Sequence, residues 1–231
     1  MYREWIARAR DVLIERLMSK TSTREGYDEV ANAYAEHYLE ELANKPLDRG
    51  MLDAFAATSQ KGMTLDLGCG PGQVARYLAN HGVLVEGVDL SPAMIDTAKR
   101  LHPTLGFRTG DMLALPHETA SVSGVVAFYA IVNLGPEDLE AAFREMHRVL
   151  VAGGHALVSF HVRDGMGHDG GHVHVDELLG RKVSMDFWFH PIAMVEGHAR
   201  EAGFTIEARL ERQPYADIEY PSERAYLLLR S

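Results

Sequence analysis

One cysteine, Cys69, stands among 231 residues, so no internal disulfide can form and the chain reads as a cytoplasmic protein of a reducing compartment. Long apolar runs are missing as well: nothing approaches the roughly 18–20 residues that a membrane-spanning helix needs, which predicts no membrane span. The opening segment, MYREWIARARDVLIERLMSK, is broken by charges every few residues and lacks the apolar core of a signal peptide. Basic excess is absent too. There are 23 Lys and Arg against 33 Asp and Glu, a formal net charge of −10, with no dense Lys/Arg run. A chain that neutralises many phosphates carries the opposite balance, so nucleic acid is not the expected partner. No internal repeat or low-complexity tract is visible. What is present, 46% hydrophobic and 24% charged residues, suits a single packed domain.

Trp5, Ile6, Ala9, Val12, Leu13 and Leu17 recur at helical spacing. They predict a first helix over residues 1–20 that packs on its own domain or serves as the contact of a homodimer. A second helix is expected from Tyr27 to Leu42 and a third, after Pro46, from Leu47 to Thr58. Beyond Gly62 short β-rich runs alternate with helical ones. MTLDL (63–67), VLVEGVD (83–89), LGFRTG (105–110), VSGVVAFYA (122–130) and HALVSFHV (155–162) read as strands. Between them lie helices, one with Ser91 as N-cap and Pro92 at its first position, another opening at Pro136 and closing at Gly153–Gly154. A Gly- and His-rich insertion follows to about His190, then a helix from Pro191 and two closing strands, FTIEARL and RAYLLLR. Alternating strands and helices imply an α/β fold, a doubly wound seven-stranded Rossmann-like sheet, mostly parallel with an antiparallel edge. We divide the single domain into a helical cap (1–60), a core (61–160), a lid insertion (161–190) and a C-terminal helix with closing strands (191–231).

The strongest chemical signal is Asp66-Leu67-Gly68-Cys69-Gly70-Pro71-Gly72, where the first strand turns into a helix. Glycines let the backbone turn sharply and approach a ligand, and the helix N-terminus offers unpaired N–H groups. Dinucleotide sites place the third glycine one position later, and the Asp66 carboxylate would repel a pyrophosphate while attracting an ammonium or sulfonium. A nicotinamide-dependent oxidoreductase is therefore the weaker reading. Asp89 ends the second strand, where a carboxylate accepts hydrogen bonds from a ribose diol. Asp111 ends the third strand and is followed by Met112, a pairing suited to an adenine amine and ring.

On these residues the chain resembles the class I methyltransferases that use S-adenosylmethionine, over about residues 27–160. DLGCGPG resembles the family's glycine-rich motif, and VEGVDLSPAMIDTAK its second-strand motif. GDMLALPHETASVSGVVAFYAIVNL and REMHRVLVAGGHALVSF are similar to later ones. Tyr27, Asp28, Ala31 and Tyr34 match the Y-D-x-x-A-x-x-Y helix of small-molecule enzymes of the type-11 and ubiquinone/menaquinone branch. The resemblance implies that Gly68, Cys69, Gly70 and Gly72 cradle the aminoacyl part of the cofactor, with Asp66 near its amino group. It further implies Asp89 and Leu90 at the ribose, Met94, Asp111 and Met112 around the adenine, Phe128 beside the sulfonium, and Tyr27 and Tyr34 closing over the methionine end. Cys69 is expected to pack rather than react. The product would be S-adenosylhomocysteine.

Ligands of doubly wound sheets bind at the carboxyl ends of the strands, so a small-molecule acceptor is expected to meet Tyr129 to Asn133 and His161 to Asp164. A hydroxyl acceptor is served by a general base, for which His161 has the right intrinsic pKa, with Tyr129 as a second, positioning candidate. N- or C-methylation, and a cofactor-binding subunit without turnover, stand as alternatives. No D-P-P-Y-like tetrapeptide follows the fourth strand, which argues against methylation of amines on nucleic acid. His172 and His174 share one face of a predicted strand and, with His168, His190, Asp169 or Asp176, raise a metal site as a minor reading; the expectation is none. Met185, Phe187, Trp188 and Phe189 suit a lid over an apolar acceptor.

Overall fold

The computed structural model describes the backbone of residues 2–58, 62–163 and 170–231, and side chains from residue 17 onward outside those gaps. The packing or dimer role expected of Trp5, Ile6, Ala9, Val12 and Leu13 falls outside the described side chains, as do Asp164, His168 and Asp169.

A seven-stranded sheet runs in the order β3-β2-β1-β4-β5-β9-β8. Its strands are β1 (Met63–Leu67), β2 (Leu84–Asp89), β3 (Gly106–Thr109), β4 (Val122–Phe128), β5 (Leu150–Arg163), β8 (Thr205–Arg212) and β9 (Glu223–Arg230). The first five are parallel to one another, and β9 runs antiparallel to both neighbours, β5 and β8. The antiparallel strand thus lies one place in from the edge. Its continuous buried run, Ala225 to Leu229, is what an inner strand requires, whereas β8 exposes most of its positions. Alternate side chains of the central strands face two helical layers. Val125, Ala127, Ala156 and Val158 pack with helices α5 (Pro136–Val149) and α6 (Ile192–Glu201). Val126 and Leu157 face α2 (Pro46–Thr58), α3 (Gln73–Asn80) and α4 (Pro92–Leu101).

Two expectations are corrected. The first two helices are one, α1 (Tyr2–Tyr38), followed by a single 3-10 turn at Glu41–Asn44 rather than reaching Leu42. Nothing between residues 20 and 27 breaks it, not even Gly26, and that glycine has a packing reason. A Cβ there would overlap Met185 Sδ, so the glycine lets α1 lie close to the insertion. Helix α5, in turn, ends at Val149, and Leu150 enters β5 directly. Gly153 and Gly154 lie inside that strand at a bulge, where the pairing steps from Val122↔Leu150 to Gly124↔His155. Gly153 has φ 74°, and a Cβ on Gly154 would meet the Val151 and Ser123 carbonyl oxygens at 2.9 and 3.0 Å.

The insertion forms a hairpin, β6 (His172–Leu178) and β7 (Arg181–Trp188), turning at Leu179 and Gly180, both with positive φ. It packs against α1, with Leu178 and Val183 touching a small cluster of Val30, Ala31 and Met94. Helix α1 is also tied to α4: Asp28 Oδ1 accepts from Ser91 Oγ at 2.6 Å and from the Ala93 amide at 3.1 Å. This explains the aspartate of the Tyr27–Tyr34 motif, which caps a helix instead of touching a ligand. Replacing Asp28 by Ala is expected to lower stability by about 1–3 kcal/mol. Amide exchange should quicken in the middle of α1 while the sheet stays protected; unchanged exchange in α1 would show that the tie is dispensable.

Candidate active site

The sheet reverses its winding between β1 and β4, and a crevice opens at their carboxyl ends. There the glycine loop folds as its residue types dictate, with φ of 67°, 51° and 88° at Gly68, Gly70 and Gly72. The Gly68 and Cys69 amides donate to Val88 O at 2.8 and 3.2 Å, and the Gly70 amide donates to Asp89 Oδ2 at 2.8 Å. The second Asp89 oxygen accepts from the Ser91 amide at 2.9 Å. Burial lifts the Asp89 carboxyl to about 6, although these amides pull the other way.

A cavity of about 780 Å³ spreads from this loop across the top of the sheet. The structure brings Gly68, Gly70, Asp89, Leu90, Met94 and Phe128 to its wall, together with Asp111 and Met112. Tyr27 and Tyr34 line it from α1, their rings edge to face at 6.0 Å, and burial keeps both phenols protonated. Asp66, Cys69 and Gly72 do not line it. Gly72 packs on His102 and Phe107, and Cys69 is buried with its sulfur against Gly87, in keeping with a packing role. Asp66 sits behind the loop, where burial lifts its carboxyl to about 8 despite a hydrogen bond from the Ala75 amide, and Oδ2 has no partner among the described residues. Asp66 is thus buried and does not itself line the cavity.

Asp111 has a partner that no local pattern announced. One oxygen accepts from the Leu113 amide at 2.9 Å and the other pairs with Lys20 of α1. Tyr27 Oη donates to Asn133 Oδ1 at 2.8 Å, and Asn133 Nδ2 donates to Asp186 O at 3.1 Å. The hairpin, α1 and the loop after β4 are thus joined at one amide side chain.

At the far end of the cavity lies Tyr129, in left-handed backbone with φ 55°. Its amide is held by Ser159 O at 3.1 Å and Ser159 Oγ at 2.9 Å, which secures a conformation that a bulky residue rarely adopts. Its hydroxyl donates to Asp48 Oδ1 at 3.0 Å and lies 2.5 Å from Tyr226 Oη. Asp48 pairs with Arg212 at 2.7 Å, Arg212 with Glu219 at 2.6 Å, and Glu219 with Lys45 and Arg224 at 3.2 and 3.3 Å. These side chains are 10% exposed or less. Arg212 and Glu219 are held ionised by each other, with Glu219 down to about 2.

His161 stacks on Tyr129 with ring centroids 5.3 Å apart, and its Nδ1 lies 2.6 Å from Ser222 Oγ. Burial, with Arg224 and Lys45 adding to it, lowers its pKa to about 3. An imidazole so reluctant to be protonated is a weak proton acceptor, and the surroundings speak against the general-base role expected of His161. The Tyr129 hydroxyl is turned to Asp48 and Tyr226. Lys20, Lys45, Glu219 and Arg224 also line the cavity, and nothing in their sequence neighbourhood marks them as site residues except at Arg224, a charge directly before the run Ala225–Leu229. On the hairpin, His174 pairs with Asp186 at 2.8 Å and Asp176 at 3.3 Å; among the described residues no group of three or more His, Cys, Asp or Glu is arranged to hold a metal. Nor is any helix among them long and apolar enough to cross a membrane.

Residues 64–154 match the family described as a methyltransferase domain. Over this stretch, about two fifths of the chain, it is similar to that methyltransferase domain. A demethylmenaquinone methyltransferase of Chlorobaculum tepidum is 32% identical over 148 residues, 61% of this chain and 60% of that protein. A malonyl-[acyl-carrier protein] O-methyltransferase of Erwinia billingiae is 29% identical, covering 62% and 54%. The match to these curated relatives thus spans only about half to three fifths of their length. Among solved structures, a methyltransferase of Methanosarcina mazei superposes with a TM-score of 0.67 at 14% identity, over 77% of this chain and 96% of that one. A geranyl diphosphate C-methyltransferase of Streptomyces coelicolor A3(2) does so at 0.61 and 14%, over 80% and 75%. Both show the fold of the methyltransferase domain.

The buried Asp66 gives a pH prediction. Its carboxyl holds a proton in the folded chain up to about 8 and releases it near the ordinary carboxylate value when unfolded. Between these values the folded state binds more protons, so this group lowers stability as pH rises. Asp66→Asn is expected to gain on the wild type steadily from pH 5 to 8 in denaturant titrations; a constant difference would mean that Asp66 is ionised in the fold.

Proposed function

We propose that this chain binds S-adenosylmethionine and transfers its methyl group to a small-molecule acceptor, with oxygen as the acceptor atom. The observation that carries the reading is that one continuous cavity joins the glycine loop and Asp89 to the His161 and Tyr129 end. Its volume falls in the range of about 300–1,000 Å³ usual for ligand sites.

The residues present fit the cofactor. Where a Gly70 side chain would point, the nearest atoms are 3.9 and 4.0 Å away, so the loop offers bare backbone to a ligand. The Asp89 oxygens each retain acceptor capacity for ribose hydroxyls beyond the amides they already bind. Leu90, Met94 and Met112 give apolar walls for an adenine, with Asp111 at its edge. Tyr27 and Tyr34 close over the methionine end, and Phe128 flanks the sulfonium. When bound, the cofactor supplies a methyl group activated by a positively charged sulfur.

The protein's own contribution is alignment and exclusion of water. Phe187 and Phe189 of the lid segment line the cavity and would wall an apolar acceptor in. Holding two reactants in line is worth up to ~7–11 kcal/mol in favourable cases. His161, neutral and hydrogen-bonded to Ser222, orients the acceptor instead of removing a proton. The four segments 1–60, 61–160, 161–190 and 191–231 each contribute to the wall, which supports their acting as one domain. The acidic net charge favours a small molecule over nucleic acid.

Labelled methyl cofactor mixed with the protein and a fractionated extract tests the reading: label is expected in small metabolites, and label in protein or RNA would overturn the substrate class. Asp89→Ala should weaken cofactor binding at least tenfold in calorimetry, about 1.4 kcal/mol. Unchanged affinity in the folded variant would remove Asp89 from the site.

A further inference from the structure

Asp66, the carboxylate expected near the cofactor's amino group, is not part of the cavity wall. Gln73 is part of it. This glutamine is the first residue of α3, directly after Gly72, and is only 8% exposed. Its Nε2 donates to Glu41 Oε1 at 3.2 Å, while its Oε1 has no hydrogen-bond partner among the described residues. Glu41 lines the cavity too, from the 3-10 turn after α1, and its second oxygen pairs with Lys45 at 2.5 Å. A carboxylate paired on both oxygens offers acceptor sites and no donor. The nitrogen of the Gln73 amide therefore points to Glu41, since the flipped amide would set oxygen against oxygen. That leaves Oε1 as a buried acceptor of fixed direction. Such an acceptor costs free energy until a donor reaches it. Lys45 pairs with Glu41 and Glu219, and Arg76 with Glu40, so neither cation is that donor.

The place of this oxygen says what the donor is. A Cβ built on Gly70 would have Tyr34 Cε1 at 3.9 Å and Gln73 Oε1 at 4.0 Å as its nearest atoms. A group standing against the bare loop thus has the orphan oxygen as a close neighbour. The Gly70 amide itself is engaged by Asp89. Resting on the reading above, we propose that Gln73 is a cofactor-binding residue whose Oε1 accepts a hydrogen bond from the primary ammonium of the methionine part. Glu41 is a positioning residue that holds the amide in the orientation this contact needs. A hydrogen bond from an ammonium is charge-assisted and among the stronger ones. It also confers selectivity, because an analogue without the N–H leaves the acceptor buried and unpaired.

Calorimetry on the full chain with three ligands tests this. They are S-adenosylhomocysteine, its analogue with hydrogen in place of the amino group, and 5′-methylthioadenosine, which lacks the whole amino-acid part. The wild type is expected to bind S-adenosylhomocysteine about tenfold more tightly than the deaminated analogue. Gln73→Met should remove that preference by weakening S-adenosylhomocysteine alone, with the other two ligands bound as by the wild type. Gln73→Asn, which keeps an amide at the helix start and withdraws it by one methylene, should do the same and serves if methionine disturbs the fold. Glu41→Leu frees the amide to turn and should lower the preference part-way without changing the binding of 5′-methylthioadenosine; a full preference in this variant would overturn the part given to Glu41. Equal binding of S-adenosylhomocysteine and its deaminated analogue by the wild type would overturn the proposal without any variant. So would a preference that survives in both Gln73 variants. A loss that falls equally on the deaminated analogue would do so as well, since Gln73 would then serve packing or the carboxylate. Binding of all three ligands without preference for the amine sinks only the assignment of Gln73, whereas binding of none sinks the methyltransferase reading and the assignment with it.

Discussion

The pairing of Arg212 with Asp48 and Glu219 is the contact on which the Tyr129 end of the cavity depends. Taking such charges out of water costs several kcal/mol each, and a well-packed apolar set of similar size would often be as stable. Their value lies in position. Asp48 comes from α2, Arg212 from β8, Glu219 from the loop after it, and Arg224 and Tyr226 from β9. No two of these elements can shift without leaving a buried charge unmatched. The network therefore locks the cap, the edge of the sheet and the closing strand together, and Tyr129 is fastened to it through its hydroxyl.

That fastening also accounts for a strained backbone. Tyr129 holds a positive φ directly after β4, where the polypeptide leaves the sheet at the mouth of the crevice. Ser159 binds its amide on one side and Asp48 its hydroxyl on the other, so the ring has a single orientation. His161 stacks on that ring, and its neutrality follows from burial beside the cations of the network. This part of the cavity is thus made of groups fixed in place by their partners.

At the opposite end the logic is backbone geometry. The glycine loop, the Asp89 carboxylate and the Ser91 cap form a connected set of hydrogen bonds that leaves bare main chain facing the cavity. Helix α1 covers this end, held by Asp28 at α4, Lys20 at Asp111 and Tyr27 at Asn133. The last of these reaches the hairpin through Asp186, so α1 and the hairpin are joined over the cavity.

Much of the cofactor end is legible in the amino-acid sequence alone. Left-handed glycines, a capped helix after Pro92 and strands ending in Asp89 and Asp111 are local matters, set by steric freedom, hydrogen-bonding capacity and apolar periodicity over a few residues. They suffice for the sheet, the cavity's place and the residues of its glycine loop. Local pattern misleads at Gly153–Gly154, where a strand bulge needs glycine as much as a helix end does, and across residues 20–27, where packing against the hairpin carries the helix on. What only the tertiary structure decides is which charged groups meet at the Tyr129 end of the cavity. Asp48 and Arg212 are 164 residues apart and Lys20 and Asp111 are 91. A side chain's protonation and partners depend on distances and burial that arise only when such remote segments meet, and no spacing within a segment encodes them.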